Sequence, residues 1–527
     1  MNFLLEFSTV GYDVRNYMAS KLCKLYPGSK FAAIVGAHKN VIGYLKEQKL
    51  VKYDFIYNID NIEKRFLDEE IDYEELRKFE ETIPEKSLWR FIAMDRNWGH
   101  QFSKGALNVK PLPRGSSSMK NILKVTGGYL KFYKKIFSEF KPDIVIFRMG
   151  MHSMMTPILE QFCRNRGIPS ISPVGTRIQN YIALTPNKEC TFPHINKTYK
   201  EIMNGELAID SFLGEKCYNE LIKSFEKQSS DYFFGVGIHD QLRELKNKNY
   251  NFVLSNLKNI ASTVLHWYRM RILEKSKEVN RIEIFNYRNL YHNLKYNLYR
   301  NYQVKKLLFD KNFYDDFKPN EKYLYFPLTV TPEYTTQVQA NMWINQLSII
   351  EALAKSCPCD WKIYVKEHPA NVVYRARPFS FYEDIKSYTN VKLIPADTNN
   401  HEIIRHSQFV INIVGTTGWE AVLFYCKPVI NFSETFYDVT GLSRRCYSFM
   451  ELSKDIYDEH KRINKISHEE RKKRIISLLN AIILNSCWLN NPKAFVGEKP
   501  PYPEGDIKNI GETLGSAIKK YLDNIKY

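Results

Sequence analysis

Apolar runs rich in β-branched and aromatic residues alternate along the chain with amphipathic stretches of helical length. In the first third of the sequence such runs occur at Phe3–Phe7, Phe31–Val35, 54–59 and 142–147. A helical stretch from about Met154 to Arg166 follows, and Gly167 ends it before the next apolar run. Alternation of this kind predicts strands and helices arranged as a parallel sheet covered by helices.

The same rhythm returns from Lys322 onward. Helices are predicted at 341–356 and from Gly418, and Ser467 with Glu470 three residues later forms a capping box that opens another helix. Strands are predicted at 323–328, 361–366, 391–394, 409–413 and 428–432. The sequence therefore predicts an α/β protein with two Rossmann-like lobes that face a cleft.

Between about 215 and 315 the chain is rich in Lys, Asn, Tyr and Leu, which predicts helices. The whole chain has 76 basic and 58 acidic residues and a net charge of +18, and the segment 241–310 contributes half of this excess. Such a segment is either a solvated helical connection or a surface for anionic lipid or polymer. The predicted domains are an N-terminal acceptor lobe at 1–214, a basic helical insert at 215–320, a nucleotide-binding lobe at 321–460 and C-terminal helices at 461–527 that pack back on the N-terminal lobe.

Composition and motif absences narrow the class of protein. The N-terminal apolar stretch contains Glu6 and has no basic segment before it, so it does not resemble a signal peptide, and no run approaches the ~18 apolar residues needed to cross a bilayer. The nine cysteines are sparse and irregular, which indicates reduced thiols. We expect a cytoplasmic protein with at most peripheral membrane contact. No GxGxxG or Walker A motif supports a standard dinucleotide or P-loop site.

The most informative candidate residues follow a predicted strand. Lys366, His368 and Pro369 stand where the strand 361–366 ends, and parallel sheets bind ligands at the carboxyl ends of their strands. Lys366 can pair with phosphate, and His368 can donate a hydrogen bond to a phosphate oxygen or a proton to a leaving group. The alternative is a surface loop whose histidine only packs.

A second candidate follows the strand 409–413. The residues Gly415, Thr416, Thr417 and Gly418 stand at the start of a predicted helix, where exposed amides and hydroxyls favour a phosphate. Glu420, one turn later, would suit a ribose hydroxyl. An ordinary capped helix remains the alternative.

Two loops near the predicted cleft complete the candidates of this half. Glu333, in the loop after strand 323–328, is a carboxylate that could orient a sugar or acceptor hydroxyl. The turn 436–442 could cover a nucleotide with aromatic surface.

In the N-terminal lobe, Asp13 and Asp95 are candidate general bases for an acceptor hydroxyl. Asp13 could equally cap a helix, and Asp95 could be a structural partner. Arg148, His152 and Arg177 follow predicted strands and could hold an acidic acceptor.

The strings YFPLTVTPEYTT, YVKEHP, GTTGWEAVLFYCKPV and FYDVTGL, in this order, resemble the capsule polysaccharide biosynthesis family. That family includes Kdo transferases and is similar to bacterial sialyltransferases with a His-Pro motif. The resemblance covers about 320–445 and implies a GT-B glycosyltransferase whose C-terminal lobe binds a nucleotide sugar, commonly a CMP-activated acidic sugar. It implies that His368 and Pro369 meet the donor phosphate and that Thr416, Thr417 and Glu420 complete the nucleotide pocket. FYDVTGL departs from the Gly-Trp-Gly turn of the Kdo transferases.

The sequence thus predicts a metal-independent glycosyltransferase that needs no cofactor beyond its nucleotide-sugar donor, because no Asp-x-Asp triplet stands where a cation would be held. Its expected partners are a glycan or glycolipid acceptor and an anionic membrane contacted through the basic insert. The alternatives are a CDP-polyol phosphotransferase of the teichoic-acid type, a scaffold with an inactive site, and a polyanion-binding protein, although no nucleic-acid-binding motif is present.

Overall fold

The structure is a computed structural model of the 527-residue chain. It describes residues 1–8, 10–36, 39–59, 66–103, 118–148, 153–178, 180–187, 189, 191–208, 211–226, 242, 252–275, 290–374, 377–492 and 502–525. The described residues within 1–92, 118–234 and 476–527 form one compact unit, unit 1. Those within 93–117 and 235–475 form a second, unit 2. Residues 93–103, which the sequence analysis counted with the N-terminal lobe, therefore lie in unit 2.

The strands are β1 Asn2–Phe7, β2 Lys30–Val35, β3 Tyr53–Asn58, β4 Ile144–Ile146, β5 Ser170–Gly175, β6 Tyr181–Thr185, β7 Tyr323–Pro327, β8 Lys362–Lys366, β9 Val391–Ile394, β10 Phe409–Asn412, β11 Val429–Asn431, β12 Arg444–Arg445 and β13 Ser486–Trp488. The α-helices are α1 Tyr12–Leu25, α2 Lys39–Glu47, α3 Tyr73–Thr82, α4 Leu88–Ala93, α5 Met119–Glu139, α6 Met155–Arg164, α7 Pro193–Met203, α8 Ser211–Glu226, α9 Phe252–Lys275, α10 Leu290–Phe309, α11 Gln346–Ser356, α12 Pro369–Tyr374, α13 Phe379–Lys386, α14 Asn400–His406, α15 Thr416–Tyr425, α16 Leu452–Ile463, α17 His468–Leu484 and α18 Glu504–Ile525.

Unit 1 contains a seven-stranded sheet in the order β3-β2-β1-β4-β5-β6-β13. The first five strands are parallel, whereas β6 and β13 run antiparallel to their neighbours. Its core gathers side chains such as Phe3, Leu5 and Ile146 from the strands and Met18 from α1. The antiparallel edge was not predicted, because β6 follows β5 after a short turn and β13 comes from a distant part of the chain.

Helix α18 packs closely on α1 within unit 1. A Cβ atom on Gly511 would lie 2.5 Å from Tyr17 Cβ, and one on Gly515 would lie 2.7 Å from Lys21 Cβ. Such distances are shorter than van der Waals contact, so the absence of side chains at both glycines allows the two helices to approach each other. The buried residues Ile510, Leu514 and Ile518 of α18 join the core of the sheet.

Unit 2 contains a six-stranded, all-parallel sheet in the order β9-β8-β7-β10-β11-β12. Numbered from β7, this is the 3-2-1-4-5-6 order of a doubly wound fold. Strands buried on both faces are expected to be continuously apolar, and β7 (YLYFP) and β10 (FVIN) are buried at every position. The predicted α/β class with two Rossmann-like units is confirmed.

Most predicted elements of unit 2 lie within two residues of their observed bounds. The helix expected from Gly418 begins earlier, at Thr416, and Gly415 is its N-cap. The capping box is confirmed, because Ser467 Oγ accepts the Glu470 amide at 3.2 Å. The described parts of the basic insert are helical from α8 to α10, as expected. Across the described ranges, no helix is long and apolar enough to span a bilayer.

Candidate functional site

The candidate site of unit 2 lies where its strand order reverses direction. From β7 the chain proceeds through β8 and β9 on one side and then returns to β10 on the other side of β7. In open parallel sheets, ligands bind outside the carboxyl ends of the strands at this reversal. The loop bearing His368 follows β8 and the threonine turn follows β10, and both strands flank β7, so the two strand ends are about 10 Å apart.

The threonine turn opens helix α15. Gly415 is the N-cap and its amide donates to Asn412 Oδ1 at 3.0 Å. Thr416 and Thr417 form the first turn and are half-buried. The first amides of a helix have no intrahelical acceptor and carry partial positive charge, so this turn can bind an anion.

A glycine permits close packing one residue further on. A Cβ atom on Gly418 would lie 2.2 Å from Tyr437 Oη and 2.8 Å from Asn412 Nδ2. The Tyr437 hydroxyl donates to Asn431 Oδ1 at 2.9 Å, and Asn412 Nδ2 donates to the same oxygen at 3.0 Å. Gly418 thus allows the amide–tyrosine cluster of Asn412, Asn431 and Tyr437 to support the start of α15 from below.

The turn 436–442 differs from its predicted role. Tyr437 is only 1% exposed and its ring packs 5.6 Å from that of Trp419, so the prediction of an aromatic cover is wrong for this residue. The turn is fastened by Asp438, whose carboxylate accepts the Thr435 amide at 2.9 Å and the Ser443 hydroxyl at 2.7 Å. A hydroxyl that needs a buried partner draws the tyrosine inward.

His368 stands between β8 and α12. Its Nδ1 accepts the Ala370 amide at 3.1 Å, so the proton of the neutral imidazole is on Nε2. Pro369 is the first residue of α12, a position that needs no amide hydrogen. The ring orientation is therefore fixed, and Nε2 carries the hydrogen that a phosphate oxygen would accept.

Glu367, the residue before His368, is the centre of a buried hydrogen-bond network. Glu367 Oε1 accepts the His368 amide at 2.6 Å and Asn371 Nδ2 at 2.8 Å. Glu367 Oε2 accepts Arg377 Nε at 2.8 Å and the Tyr382 hydroxyl at 2.9 Å. Glu367 and Asn371 are fully buried and Arg377 is 1% exposed, so this carboxylate holds the His368 loop and does not face a ligand.

The network extends to the loop after β7. Arg377 Nη2 donates to the Thr329 carbonyl at 2.7 Å, and Gln346 binds the Thr329 amide and carbonyl with its side-chain amide. Within the described residues, no hydrogen-bond partner is found for three buried atoms here, Thr329 Oγ1, Asn371 Oδ1 and Arg377 Nη1. Buried polar atoms are normally paired, so these atoms suit a site completed by a ligand or water.

Lys366 and Glu420 face each other inside unit 2. Lys366 Nζ donates to the Thr398 carbonyl at 3.1 Å, and burial lowers the pKa of this lysine to about 8. Glu420 Oε2 accepts Asn400 Nδ2 at 2.9 Å, and burial raises the pKa of this glutamate to about 7. Each charge partly offsets the effect of burial on the other. Both residues adjoin the site, but Lys366 is 4% exposed and lies behind its surface.

The candidate bases lie in different places. Glu333 is half-buried in the loop after β7, and its Oε2 accepts the Thr335 hydroxyl at 2.8 Å. Asp95 is buried in unit 2, and its Oδ1 accepts the amides of Asn97 and Trp98, which are the bonds of a structural turn. Asp13 lies in unit 1, in the first turn of α1, where Gly11 rather than Asp13 is the N-cap.

The strand reversal of unit 1, between β1 and β4, contains charged residues that the sequence analysis only partly identified. Arg148 follows β4, and its amide donates to the buried Glu6 at 3.4 Å. Arg15 donates to the Phe147 carbonyl at 3.1 Å, and burial lowers the pKa of its guanidinium to about 10. Burial also raises the pKa of Glu6. Arg177 follows β5 with a φ of 63°, and His152 lies outside the described residues.

Sequence reasoning missed the residues that hold the candidate loops, namely Thr329, Gln346, Asn371, Arg377, Asn400, Asn412 and Asn431. For two of them a signal existed. Strands β10 and β11 both end in Val-Ile-Asn, and the structure pairs the two tripeptides residue for residue, with Asn412 opposite Asn431. No group of three or more His, Cys, Asp or Glu side chains in the described ranges is arranged to hold a metal ion.

Comparisons with known proteins give one family match. Two solved structures illustrate the similarities of fold. KpsC of Thermosulfurimonas dismutans, a beta Kdo 2,4 transferase, is 13% identical, with 70% of this chain and 86% of that chain covered and a TM-score of 0.30. A UDP-GlcNAc 2-epimerase from Neisseria meningitidis is 14% identical, with 92% and 100% covered and a TM-score of 0.22. TM-scores this low carry no argument about function.

None of the curated proteins compared with the sequence matches it. The matched family model spans β7 to β11, including the His368 loop and the threonine turn. Residues 240–462 of this chain match the family described as capsule polysaccharide biosynthesis protein.

Proposed function

We propose that this protein is a GT-B glycosyltransferase that moves a sugar from a nucleotide donor to a glycan or glycolipid acceptor in the synthesis of a surface polysaccharide. The observation that carries the proposal is the placement of the His368 loop and the threonine turn on the two strands that flank β7, at the strand reversal of unit 2. The family matched by residues 240–462 supports the same role. We further propose that the donor is a CMP-linked acidic sugar, as the resemblance to the Kdo and sialyltransferases implies.

The reaction breaks the bond between the anomeric carbon and the phosphate oxygen of the donor, and the acceptor oxygen forms the new bond. The leaving phosphate gains negative charge, which the first-turn amides of α15, the hydroxyls of Thr416 and Thr417 and the Nε2 hydrogen of His368 would stabilise. Lys366 adds positive potential from behind the site, and Glu420 is assigned to the ribose. These protein groups supply the stabilisation in a mechanism that requires no metal ion, so turnover should persist in EDTA.

The proton of the acceptor hydroxyl needs a base. Glu333 is the preferred candidate of unit 2, because Asp95 uses one carboxylate oxygen for two backbone amides. Asp13 and an acidic-acceptor site at Arg148 would come from unit 1, across the proposed cleft. A peripheral contact with an anionic membrane through the basic insert completes the proposed function.

Nucleotide binding tests the site directly. Thermal-shift measurements with CMP, CDP, UDP and GDP should show stabilisation by CMP, and the variant His368→Ala should lose it. His406→Ala, which removes a partly exposed histidine at the end of α14, is the matched control and should keep it. Full CMP binding by His368→Ala would overturn the assignment.

Donor trials separate the proposed transferase from its main alternative. Turnover of a CMP-sugar supports the proposal, whereas turnover of CDP-glycerol alone identifies a polyol phosphotransferase.

A further inference from the structure

Helices α9 and α10 of the basic insert contact each other through polar side chains. Asn297 Nδ2 donates to Thr263 Oγ1 at 2.7 Å, and Asn301 Nδ2 donates to Asn256 Oδ1 at 2.5 Å. Thr263 and Asn301 are buried at this contact. In a water-soluble helical hairpin the apolar side chains normally face the partner helix, so the polarity of α9 is reversed.

The apolar residues of α9 lie on its exposed face instead. They form an outward stripe composed of Leu254, Leu257, Val264, Leu265, Tyr268 and Ile272. These side chains are 40–68% exposed, and their spacing places them within about 100° of the helix circumference. The stripe is about 27 Å long at 1.5 Å per residue. An exposed apolar surface of this extent marks a site of interaction.

Basic residues border the outward stripe. The exposed Lys258 and Arg269 lie along one side of it, and the exposed Arg271 lies along the other. Helices α9 and α10 together contain eight Lys and Arg residues and one Glu. A surface with this charge repels a second copy of itself and attracts an anionic one.

We propose that the outward stripe of α9 lies flat on an anionic lipid surface, with its Leu, Val and Ile side chains inserted among the acyl chains and its basic borders at the phosphate groups. Helices with an apolar face and basic flanks bind in the plane of the membrane interface in this way. The inference deepens the membrane contact of the proposed function and assigns it to one helix face. It does not depend on the nucleotide site, which comprises other residues of unit 2.

The test is co-sedimentation of the full-length protein with lipid vesicles. The wild type should bind vesicles of phosphatidylglycerol and phosphatidylcholine and bind pure phosphatidylcholine vesicles at least tenfold less. The double variant Leu265→Glu/Ile272→Glu should lose at least tenfold in binding to the anionic vesicles. Lys258→Gln/Arg269→Gln should lose several-fold, and this loss should shrink at high salt.

The matched control is Leu213→Glu/Met450→Glu, which makes the same charge change at two exposed apolar residues outside α9. It should bind vesicles like the wild type. CMP thermal shifts on every variant report the nucleotide site separately, so failure of the membrane proposal and failure of the transferase proposal are distinguishable. Equal vesicle binding by Leu265→Glu/Ile272→Glu and wild type would overturn the inference, as would a wild type that ignores anionic vesicles or uses the stripe only to dimerise in analytical ultracentrifugation.

Discussion

Glu367 and Arg377 form an ion pair that is almost completely removed from solvent, with Arg377 Nε 2.8 Å from Glu367 Oε2. The pair joins the end of β8 to the segment that precedes α13, and the second arm of the guanidinium reaches the Thr329 carbonyl after β7. Because Glu367 also accepts the His368 amide, the position of the imidazole depends on a charge that never meets the ligand. We regard Arg377 as a positioning residue of the candidate site.

Removal of the arginine should therefore be costly. Arg377→Met leaves the Glu367 carboxylate buried without its counter-charge, and we expect a loss of about 3–5 kcal/mol in the free energy of unfolding. Urea denaturation measures this loss.

Tyr382→Phe tests the same network more gently, since it removes a single hydrogen bond to Glu367 and should cost about 1–2 kcal/mol. Tyr447→Phe alters a tyrosine that is 75% exposed and should change the stability by less than about 0.5 kcal/mol. If Tyr382→Phe were as stable as this control, the network would not have the strength that its geometry indicates.

Gly418→Ala should damage the start of α15. The new methyl group would collide with the Tyr437 hydroxyl, and overpacking of this kind costs about 1–3 kcal/mol. We also expect weaker CMP binding, because the collision moves the first turn that carries Thr416 and Thr417. Denaturation and thermal shift report the two effects.

Gly127→Ala is the control for that substitution. Gly127 lies within α5 and a Cβ atom there would meet nothing within 4 Å. The alanine should stabilise the protein by about 0.5–1 kcal/mol through its better helix propensity. Equal effects of the two substitutions would contradict the close approach at Gly418.

The raised pKa of Glu420 makes stability depend on pH. Between the ordinary carboxyl value of 4.5 and the folded-state value of about 7, the folded protein holds a proton that the unfolded chain has released. The free energy of unfolding should therefore fall as the pH rises through this window, by at most about 3 kcal/mol from this residue.

Glu420→Gln isolates this contribution. Urea denaturation at pH 5, 6 and 7 should show a smaller fall for the variant than for the wild type. Glu6 and Asp455 also have raised pKa values, but they contribute to both proteins, so only the difference between the two slopes reports Glu420. Parallel slopes would show that Glu420 titrates near its ordinary value. The pH range stops at 7 because Lys366 begins to lose its proton near pH 8.

The contact between α1 and α18 predicts opposite outcomes for two glycines of one helix. Gly511→Ala places a methyl group within 3 Å of Tyr17, Val14 and Met18 and should cost about 1–3 kcal/mol. Gly505→Ala, where a Cβ atom meets nothing within 4 Å, should leave the stability unchanged or slightly increase it. Thermal unfolding distinguishes them, and a harmless Gly511→Ala would show that the helices are further apart.

The parallel cores of both units were predictable because strands buried on both faces are continuously apolar. The runs at Phe3–Phe7 and Phe31–Val35 lie within one residue of β1 and β2. The edges were less accessible to sequence reasoning. Strand β13 pairs with β6 across some 300 residues of chain, and local periodicity contains no information about such a partner.

For the candidate site, the residues at strand ends were predictable and their supports were not. His368 and Thr416 stand directly after apolar runs, where the geometry of a parallel sheet places ligands. Arg377 follows no strand, and its importance arises only from a buried carboxylate ten residues earlier. The inward position of Tyr437 likewise depends on Asn431 and Gly418, which are distant along the helix and strand that carry them.

Unit 1 is completed by α18, whereas the described parts of unit 2 come almost entirely from between its two N-terminal portions and this last helix. A growing polypeptide would therefore have all of the second sheet available for folding while α1 still lacked the helix that covers it. Ribosome-bound intermediates with an uncovered α1 surface are the natural clients of chaperones, and shortening α18 would prolong that exposure.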